Sequence, residues 1–340
     1  MPSSKDVAKK AGVSQTTVSR VLNTPDKVKE ATREKVLRAI EALNYVPDAN
    51  ARSLVQKRTG TITLISGPLH NPFFVDSTEE IVRFANRAGY RVNVHFASSA
   101  QVDVAYAAAF GNKCDGIILS CLLLDDPVVA RLQALDIPSI SFNRRHRHAG
   151  NFVEIDNVTA GRLAVTHLLD LGHRDIFWVG AAPIVSTFHD RFAGFRQVVS
   201  GAKNGVVPGL KIRNINFKQL DKPDIPGLLR HLARSNSLPG AFCAATDAIA
   251  IDLMDALSGL GLSVPEDVSV IGIDNVKLSG NGLIRLTTVG CAKASVLGLT
   301  AIRKLIALIE SGGRSGDIRI TEPVILFERN STRTANVPAG

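Results

Sequence analysis

The chain has 340 residues, of which 45% are hydrophobic and 21% are charged, and its net charge is +9 at neutral pH. This profile is typical of a globular protein of about two or three domains with a sizeable core. No run is long and apolar enough to span a membrane, and the polar N-terminus lacks a secretory pattern, so we expect a cytoplasmic protein. The scattered cysteines, which form no CxxC pair, predict reduced core thiols rather than a metal site.

Positive charge is concentrated at the N-terminus. Residues 1–60 carry 12 Lys and Arg against 6 Asp and Glu, whereas the remaining 280 residues carry 28 against 25. A module that binds phosphates produces such a distribution. A solvated basic helix face gives a similar excess over fewer residues, so the charge supports a nucleic-acid partner without deciding it.

Two short helices separated by a tight turn are predicted over residues 5–23. Ser4 is placed to cap the first helix, and Gly12 to end it in the left-handed conformation. Ser14 is placed to cap the second helix, whose apolar positions 18, 21 and 22 turn inward. The pattern indicates a helix-turn-helix, although a helical hairpin in any bundle looks similar. Side chains able to bond to base edges and phosphates form the outer face of the second helix: Gln15, Thr16, Ser19 and Arg20.

A third helix is predicted over residues 30–43, and Pro47 ends it and can start another. The short segment from there to Leu54 has two interpretations. It is either a plain linker or a hinge that folds on DNA and inserts Leu54 into the minor groove as an apolar wedge.

From Thr59 onward, strand-like runs alternate with helical patterns. This alternation predicts parallel sheets covered by helices, and about 270 residues predict two α/β subdomains rather than one sheet. The predicted strands are 61–66, 90–97, 116–122, 139–142, 152–156, 175–180, 211–217, 241–245 and 268–273.

Several motifs of the first 54 residues resemble the lactose/purine-repressor (LacI–GalR) family of bacterial regulators: KDVAKKAGVS, TVSRVLN, TREKV, LNYVP and ARSL. The resemblance implies an all-α helix-turn-helix headpiece at 1–46, a hinge at 47–58, and an α/β periplasmic-binding-protein-like core of two Rossmann-like lobes at 59–340. It places the N-lobe at about 59–157 and 286–318 and the C-lobe at about 158–285 and 319–335. The DNA contacts that it implies are Ser4, Ser14, Gln15, Thr16, Thr17, Ser19, Arg20, Asn23, Ala51 and Leu54.

Ligands of open α/β sheets bind at the carboxyl ends of strands, so segments that follow strands are candidates for an effector site. By resemblance, Arg191 matches an arginine that forks onto effector hydroxyls or a carboxylate, and Asp274 aligns with a carboxylate that accepts bonds from the effector. For Asp247 we expect helix capping instead. Simple packing is the alternative for the two aromatic residues 73 and 74. The predicted effector contacts are Phe73, Phe74, Asn143, Arg144, Arg191, Phe217, Thr246 and Asp274.

The segment 143–148, Asn-Arg-Arg-His-Arg-His, departs from the family pattern. Asn143 stands where many relatives have an acidic residue that binds sugar hydroxyls. Its neutral amide, beside several basic side chains, favours an acidic or phosphorylated effector over a neutral hexose. A solvated run of charges is the alternative. The two histidines have no apparent third ligand, so we expect neither a metal nor another cofactor.

These features predict a ligand-responsive transcription regulator, a repressor, located in the cytoplasm at the nucleoid. Its partners would be a near-palindromic operator in double-stranded DNA, a second copy of the chain, and a sugar, sugar acid or sugar phosphate that is coupled reciprocally to DNA binding. The polar tail after Arg329 has no leucine heptads, which favours a dimer. The alternatives are a sugar- or nucleoside-acting enzyme and a plain solute-binding protein. The sequence has none of the common phosphate-loop or catalytic motifs, and it carries a headpiece, so neither is favoured.

Overall fold

The computed structural model describes residues 2–46, 58–98, 101–111, 113–204, 208–218, 223–293, 295–313 and 317–335. The chain divides into two compact units, Met1–Thr59 and Gly60–Gly340. The predicted hinge at 47–58 lies outside the described residues except for Arg58, and so do the predicted DNA contacts Ala51 and Leu54. No helix within the described ranges combines the length and apolar character needed to cross a lipid bilayer.

The described part of the first unit contains three α-helices, α1 Ser4–Ala11, α2 Gln15–Asn23 and α3 Glu30–Ala42, with a 3-10 turn at Pro25–Lys27. Val7, Val18 and Val36, one from each helix, are fully buried and form the centre of a small core. These apolar positions recur at the helical period, so each helix turns one stripe inward and leaves its polar side chains outside.

The turn between α1 and α2 follows the predicted chemistry with one shift. Gly12 ends α1 at φ 67°, and the Ser14 hydroxyl accepts the Thr17 N–H at 3.1 Å to cap α2. The prediction that Ser4 caps α1 is wrong by one residue. Ser3 is the cap, because the Asp6 carboxylate also accepts the Ser3 N–H and completes a reciprocal capping box.

The elements of the first lobe of the second unit are β1 Thr61–Ser66, α4 Pro72–Arg87, β2 Arg91–Phe96, α5 Val102–Gly111, β3 Gly116–Leu119, α6 Val128–Ala134, β4 Ser139–Phe142, β5 Phe152–Ile155, α11 Val296–Glu310 and β11 Arg319–Glu322. The six strands form a parallel sheet in the order β11-β5-β4-β3-β1-β2. Residues alternate between its faces: Ile62 and Leu64 pack towards α4 and α11, whereas Ile65 packs towards α5 and α6.

The second lobe has a six-stranded sheet in the order β12-β10-β9-β8-β6-β7, in which only the pairing of β12 with β10 is antiparallel among the described strands. Strands β6, β8 and β9 read as nearly continuous apolar runs because helices cover both faces of a parallel sheet. The elements are α7 Asn157–Asp170, β6 Asp175–Ala181, α8 Ser186–Asn204, β7 Lys211–Phe217, α9 Ile225–Arg234, β8 Ala241–Ala244, α10 Asp247–Ser258, β9 Ser269–Ile273, β10 Thr287–Gly290 and β12 Ile325–Phe327.

The chain passes between the lobes after β5, after β10 and after β11, and two of these passages differ from the expected lobe bounds. Strand β10, expected in the N-lobe segment 286–318, pairs with β9 in the second sheet, with Thr287 opposite Ile271. Strand β11, expected in the C-lobe, pairs with β5 in the first sheet, with Arg319 opposite Phe152. Both strands are four residues long, and their membership is decided by tertiary pairing, which for β11 joins strands far apart in sequence.

Candidate functional site

A cavity of about 200 Å³ lies between the lobes, where strands of both sheets end. Its lining follows β1 and β4 in the first lobe and β6, β8 and β9 in the second. Small-molecule sites usually measure about 300–1,000 Å³, so this one suits a compact metabolite of monosaccharide size. Seven of the eight predicted effector contacts line it: Phe73, Phe74, Asn143, Arg144, Arg191, Thr246 and Asp274.

Phe217 is the predicted contact that the structure does not bring to the cavity. It ends β7, which is the edge strand of the second sheet, and it is not among the described lining residues. The residues 219–222 that follow it lie outside the described part of the chain.

Arg191 is the central cation of the wall that the second lobe contributes, and it is 1% exposed. Its Nε donates to Asn157 Oδ1 at 2.8 Å, its Nη1 to the Ala245 carbonyl oxygen at 2.7 Å, and its Nη2 to Asp274 Oδ1 at 2.7 Å. Each nitrogen of the planar guanidinium therefore has a partner, and the fork is fixed without a ligand.

Helices α7 and α8 bring Arg191 to Asn157 because their backbones touch. A Cβ on Gly161 would lie 2.0 Å from the Arg191 carbonyl oxygen, and one on Gly194 would lie 1.9 Å from the Val158 carbonyl oxygen. Backbone atoms cannot yield as a flexible side chain can, so only glycine fits at these two positions.

Asp274 receives Arg191 from an unusual turn after β9. It has φ 138°, and Asn275, which follows it, has φ 52°. The turn is held by bonds from outside: Asn275 Nδ2 donates to the Cys291 carbonyl oxygen, and Arg329 Nη2 donates to Asn275 Oδ1. Burial raises the pKa of the Asp274 carboxyl, and the Arg191 guanidinium opposes that rise.

Asp247 supports this turn from beneath, which corrects the expectation that it caps α10. Thr246 is the cap, since its hydroxyl accepts the Ile249 N–H at 3.2 Å. The Asp247 carboxylate instead accepts the Val276 N–H at 2.9 Å and the Thr288 hydroxyl. Burial, followed by the nearby Asp274 carboxylate, raises the pKa of Asp247 to about 7.

Sequence reasoning thus missed Asp247 and Asn157 as parts of the site. Asn157 directly follows the predicted strand 152–156, and Asp247 lies two residues after the predicted strand 241–245. Reading the segments that follow strands, which led to Asn143, therefore points to these two residues as well. The competing explanation, capping at a helix N-terminus, was preferred for Asp247. At this site, one residue caps the helix and its neighbour turns into the core.

The wall of the first lobe differs because some of its polar atoms lack partners. Asn143, at φ 67°, and Arg144 are each 7% exposed. No described group bonds to the buried Asn143 Oδ1 or to the buried Arg144 Nε. The Arg144 guanidinium lies 5.9 Å from the centre of the Phe74 ring, within the range of a cation–π contact. Phe73 and Phe74 are also packed against each other, with ring centres 5.5 Å apart.

The other two arginines of the segment 143–148 are paired with carboxylates. Arg145 donates to Glu154 at 2.7 Å in the first lobe and to Asp190 at 2.6 Å in α8, so it bridges the lobes. Arg147 donates to both oxygens of Asp125, at 2.9 and 3.0 Å. A solvated run of charges therefore describes Arg147, which is 41% exposed, but not Arg144.

Glu154 is a titratable group that lies between Arg145 and Asn157 in a network of polar contacts. Burial raises its pKa to about 7, and the Arg145 guanidinium opposes that rise. Its second oxygen lies 3.5 Å from Asn157 Nδ2, so Asn157 links it to Arg191. Across the described ranges, no group of three or more His, Cys, Asp or Glu side chains is placed to hold a metal ion.

The helix-turn-helix presents a polar outer surface. Ser14, Gln15, Thr16 and Arg20 are exposed, and Ser4, Thr17 and Ser19 are partly buried. Gln15 Nε2 donates to Ser4 Oγ at 2.8 Å, which places α1 and the start of α2 on one surface. Asn23 is the last residue of α2, and its side chain lies outside the description.

Known families and proteins are similar to this chain over nearly its whole length. The family model described as bacterial regulatory proteins, lacI family, matches residues 4–48, and that of a periplasmic binding protein-like domain matches residues 165–332. The HTH-type transcriptional repressor PurR of Glaesserella parasuis is 31% identical over 349 residues, which covers 99% of this chain and 100% of that protein. The ribose operon repressor of Halalkalibacterium halodurans is 31% identical over 312 residues, 91% of each chain.

Solved structures show the same arrangement. The lac repressor dimer bound to operator and the anti-inducer ONPF is 26% identical, with a TM-score of 0.79 over 98% of this chain and 99% of that one. The complex of the transcriptional regulator CelR with cellobiose is also 26% identical, with a TM-score of 0.67 over 97% of this chain and 100% of that one.

Proposed function

Because the chain belongs to the lacI family of bacterial regulatory proteins and is a ligand-responsive DNA-binding repressor, we propose that the cavity between its lobes holds the metabolite that controls it. The observation that carries the proposal is that residues of both lobes line one cavity, with Arg144 on one wall and Arg191 on the other. A molecule that touches both walls binds more tightly in one relation of the lobes than in another, so it shifts that equilibrium.

The metabolite in this proposal is a sugar, a sugar acid or a sugar phosphate of monosaccharide size. The cavity volume of about 200 Å³ and the mixture of donors and acceptors on its walls support this choice. The relatives are repressors, and they align with this chain over nearly their whole length, so the chain is a regulator rather than an enzyme.

The operator would be read by α2. Gln15, Thr16 and Arg20 are exposed on one surface and offer an amide, a hydroxyl and a guanidinium, which are groups that read base edges. Ser4, Ser14, Thr17, Ser19 and Asn23 would contact phosphates or flank that surface, and Ala51 and Leu54 would act from the hinge. Because its target is DNA, we place the protein in the cytoplasm at the nucleoid.

A homodimer on a near-palindromic operator completes the proposal. The lac repressor, to which the chain is similar, is a dimer on its operator. On this chain, Leu69, Val75 and Leu278 line a shallow groove while remaining 58%, 43% and 39% exposed. Exposed apolar patches mark interaction surfaces, and we assign this one to the second copy.

The test begins with selection of genomic fragments that the protein binds, followed by a reporter gene placed behind the selected operator. Ala248 lines the cavity on α10, so Ala248→Phe fills it, whereas Ala107 is exposed on α5 and Ala107→Phe serves as the control. We expect a panel of sugars, sugar acids and sugar phosphates to change repression in the wild type and in Ala107→Phe, but not in Ala248→Phe. An unaltered response of Ala248→Phe would show that the cavity is not the control site.

A further inference from the structure

Arg144 is distinguished from its neighbours by what it lacks. Of the three arginines in the segment 143–148, Arg145 and Arg147 each hold a carboxylate at 3.0 Å or less. Arg144 is the most buried of the three, yet no described residue supplies a partner to its Nε. A buried guanidinium without a counter-charge is unfavourable, because it has given up water without an equivalent bond in return.

The described carboxylates that line the cavity form no ion pair with this cation. Asp274 interacts electrostatically with Arg144, but its carboxylate hydrogen-bonds to the Arg191 guanidinium. Asp252, the other described carboxylate of the lining, is exposed to solvent. Arg191 therefore has an ion-pair partner inside the protein, whereas the described residues provide no ion-pair partner for Arg144 and no hydrogen-bond partner for its Nε.

The Phe74 ring lies beside Arg144. The guanidinium carbon is 5.9 Å from the ring centre, within the range of a cation–π contact. The ring in turn covers Gly67, where a Cβ would lie 2.2 Å from a ring carbon. A guanidinium that contacts an aromatic ring can still donate its N–H groups to an oxyanion.

The preceding residue adds a second requirement. Asn143 Oδ1 is buried and has no described partner, and an amide oxygen only accepts hydrogen bonds. The occupant must then bring a donor, such as a hydroxyl, next to the group that binds Arg144.

We propose that the effector is a hydroxylated anion of monosaccharide size, whose carboxylate or phosphate binds Arg144 and one of whose hydroxyls donates to Asn143 Oδ1. This inference rests on the proposed function for the location of the effector. It goes further in excluding neutral sugars and neutral bases, since a neutral occupant would leave buried Arg144 without an ion-pair partner.

The binding test uses the full chain, its Arg144→Gln and Arg144→Lys variants, and Arg147→Gln as the control from the same segment. Titration calorimetry at constant ionic strength measures the binding of inorganic phosphate and then of a matched set, which is glucose, gluconate and glucose 6-phosphate. We expect saturable phosphate binding to the wild type and to Arg147→Gln, weaker binding to Arg144→Lys, and none to Arg144→Gln. Within the matched set, we expect an acidic member to bind at least about tenfold more tightly than glucose. Whichever of gluconate and glucose 6-phosphate binds more tightly shows whether the site prefers a carboxylate or a phosphate.

Anion binding that is absent, or that is equal in the wild type and Arg144→Gln, would overturn the inference, as would tighter binding of glucose than of both acids. Gel shifts with the selected operator separate the two proposals. If anions bind through Arg144 while operator affinity never responds to any cavity ligand, the control function fails and the anion site stands. If glucose alone binds and changes operator affinity, the control function stands and the anion site fails.

Discussion

The two walls of the cavity use the same kinds of side chain but satisfy them differently. On the wall of the second lobe, Arg191 has a partner for each nitrogen, and Asp274 accepts one of those bonds. On the wall of the first lobe, Asn143 and Arg144 are nearly as buried but keep buried polar atoms without described partners. The satisfied wall is part of the folded structure, whereas in our proposal the unsatisfied wall is completed by its ligand.

The two walls are connected through a chain of polar contacts. Arg191 bonds to Asn157, Asn157 lies next to Glu154, and Arg145 joins Glu154 to Asp190 on α8. Arg145 directly follows Arg144 in sequence, and Asp190 directly precedes Arg191. A ligand that moves either cavity arginine therefore acts on a residue adjacent to the bridge between lobes, which is a physical route from binding to the relation of the lobes.

The largest effect is expected from the satisfied wall. Asp274→Asn keeps the shape of the side chain and tolerates the positive φ, but it leaves the buried Arg191 charge without its ion-pair partner. We expect a loss of about 3 kcal/mol in the free energy of unfolding, at the low end for a broken buried pair because Asp247 is close enough to compensate partly.

Urea unfolding followed by the fluorescence of Trp178, the single tryptophan, measures this loss in the second lobe. Asp255→Asn on α10, which is exposed, is the control and should change stability by less than about 0.5 kcal/mol. Equal stability of Asp274→Asn and Asp255→Asn would mean that the Arg191 network is not what holds this wall.

A smaller loss is expected when α7 and α8 are forced apart beneath Arg191. Gly161→Ala places a methyl group against the Arg191 carbonyl oxygen, and we expect a cost of about 1–3 kcal/mol. Gly201→Ala on α8 is the control, because a Cβ there meets no atom within 4 Å. That substitution should stabilise the helix by about 0.5–1 kcal/mol, and the same Trp178 measurement would contradict the packing argument if both variants behaved alike.

The pH dependence of stability should also come mainly from the buried acids. The pKa of Asp247 is about 7 in the folded protein against an ordinary value of 3.8. The folded state therefore holds a proton that the unfolded state has lost, and this stabilisation, complete below about pH 4, disappears as the pH rises through 7. The contribution is at most about 1.4 kcal/mol per pH unit.

Asp247→Asn removes this titration. Urea unfolding between pH 4 and pH 7 should show a shallower fall in stability for Asp247→Asn than for the wild type or for Asp255→Asn. Glu154, with its pKa raised to about 7, adds a slope of the same sign and remains in all three proteins, so the difference between variants is the measured quantity. Parallel slopes would remove Asp247 as the source.

The sequence predicted most of the fold because buried strands and helix stripes are local patterns. It missed β10, β11 and β12, which are three or four residues long and therefore carry little local pattern, and whose places depend on tertiary pairing. At the site, reading the segments that follow strands predicted Arg144, whereas Arg191 and Asp274 were predicted from the family resemblance. What sequence cannot predict is which of several adjacent arginines finds a partner, because that depends on carboxylates such as Asp190, which lies 45 residues away from Arg145.

The smallest effect, and the one of opposite sign, is expected on the unsatisfied wall. Arg144→Met keeps much of the apolar contact with Phe74 but removes the uncompensated charge, so the ligand-free protein should gain up to about 1 kcal/mol in stability. With Arg147→Met as the exposed control, unfolding in a phosphate-free buffer measures the gain, and added gluconate or glucose 6-phosphate should then stabilise the wild type but not Arg144→Met. A loss as large as that of Asp274→Asn would show that Arg144 is already compensated within the protein. The two walls would then be alike, and the selectivity for an anion would have to be sought elsewhere.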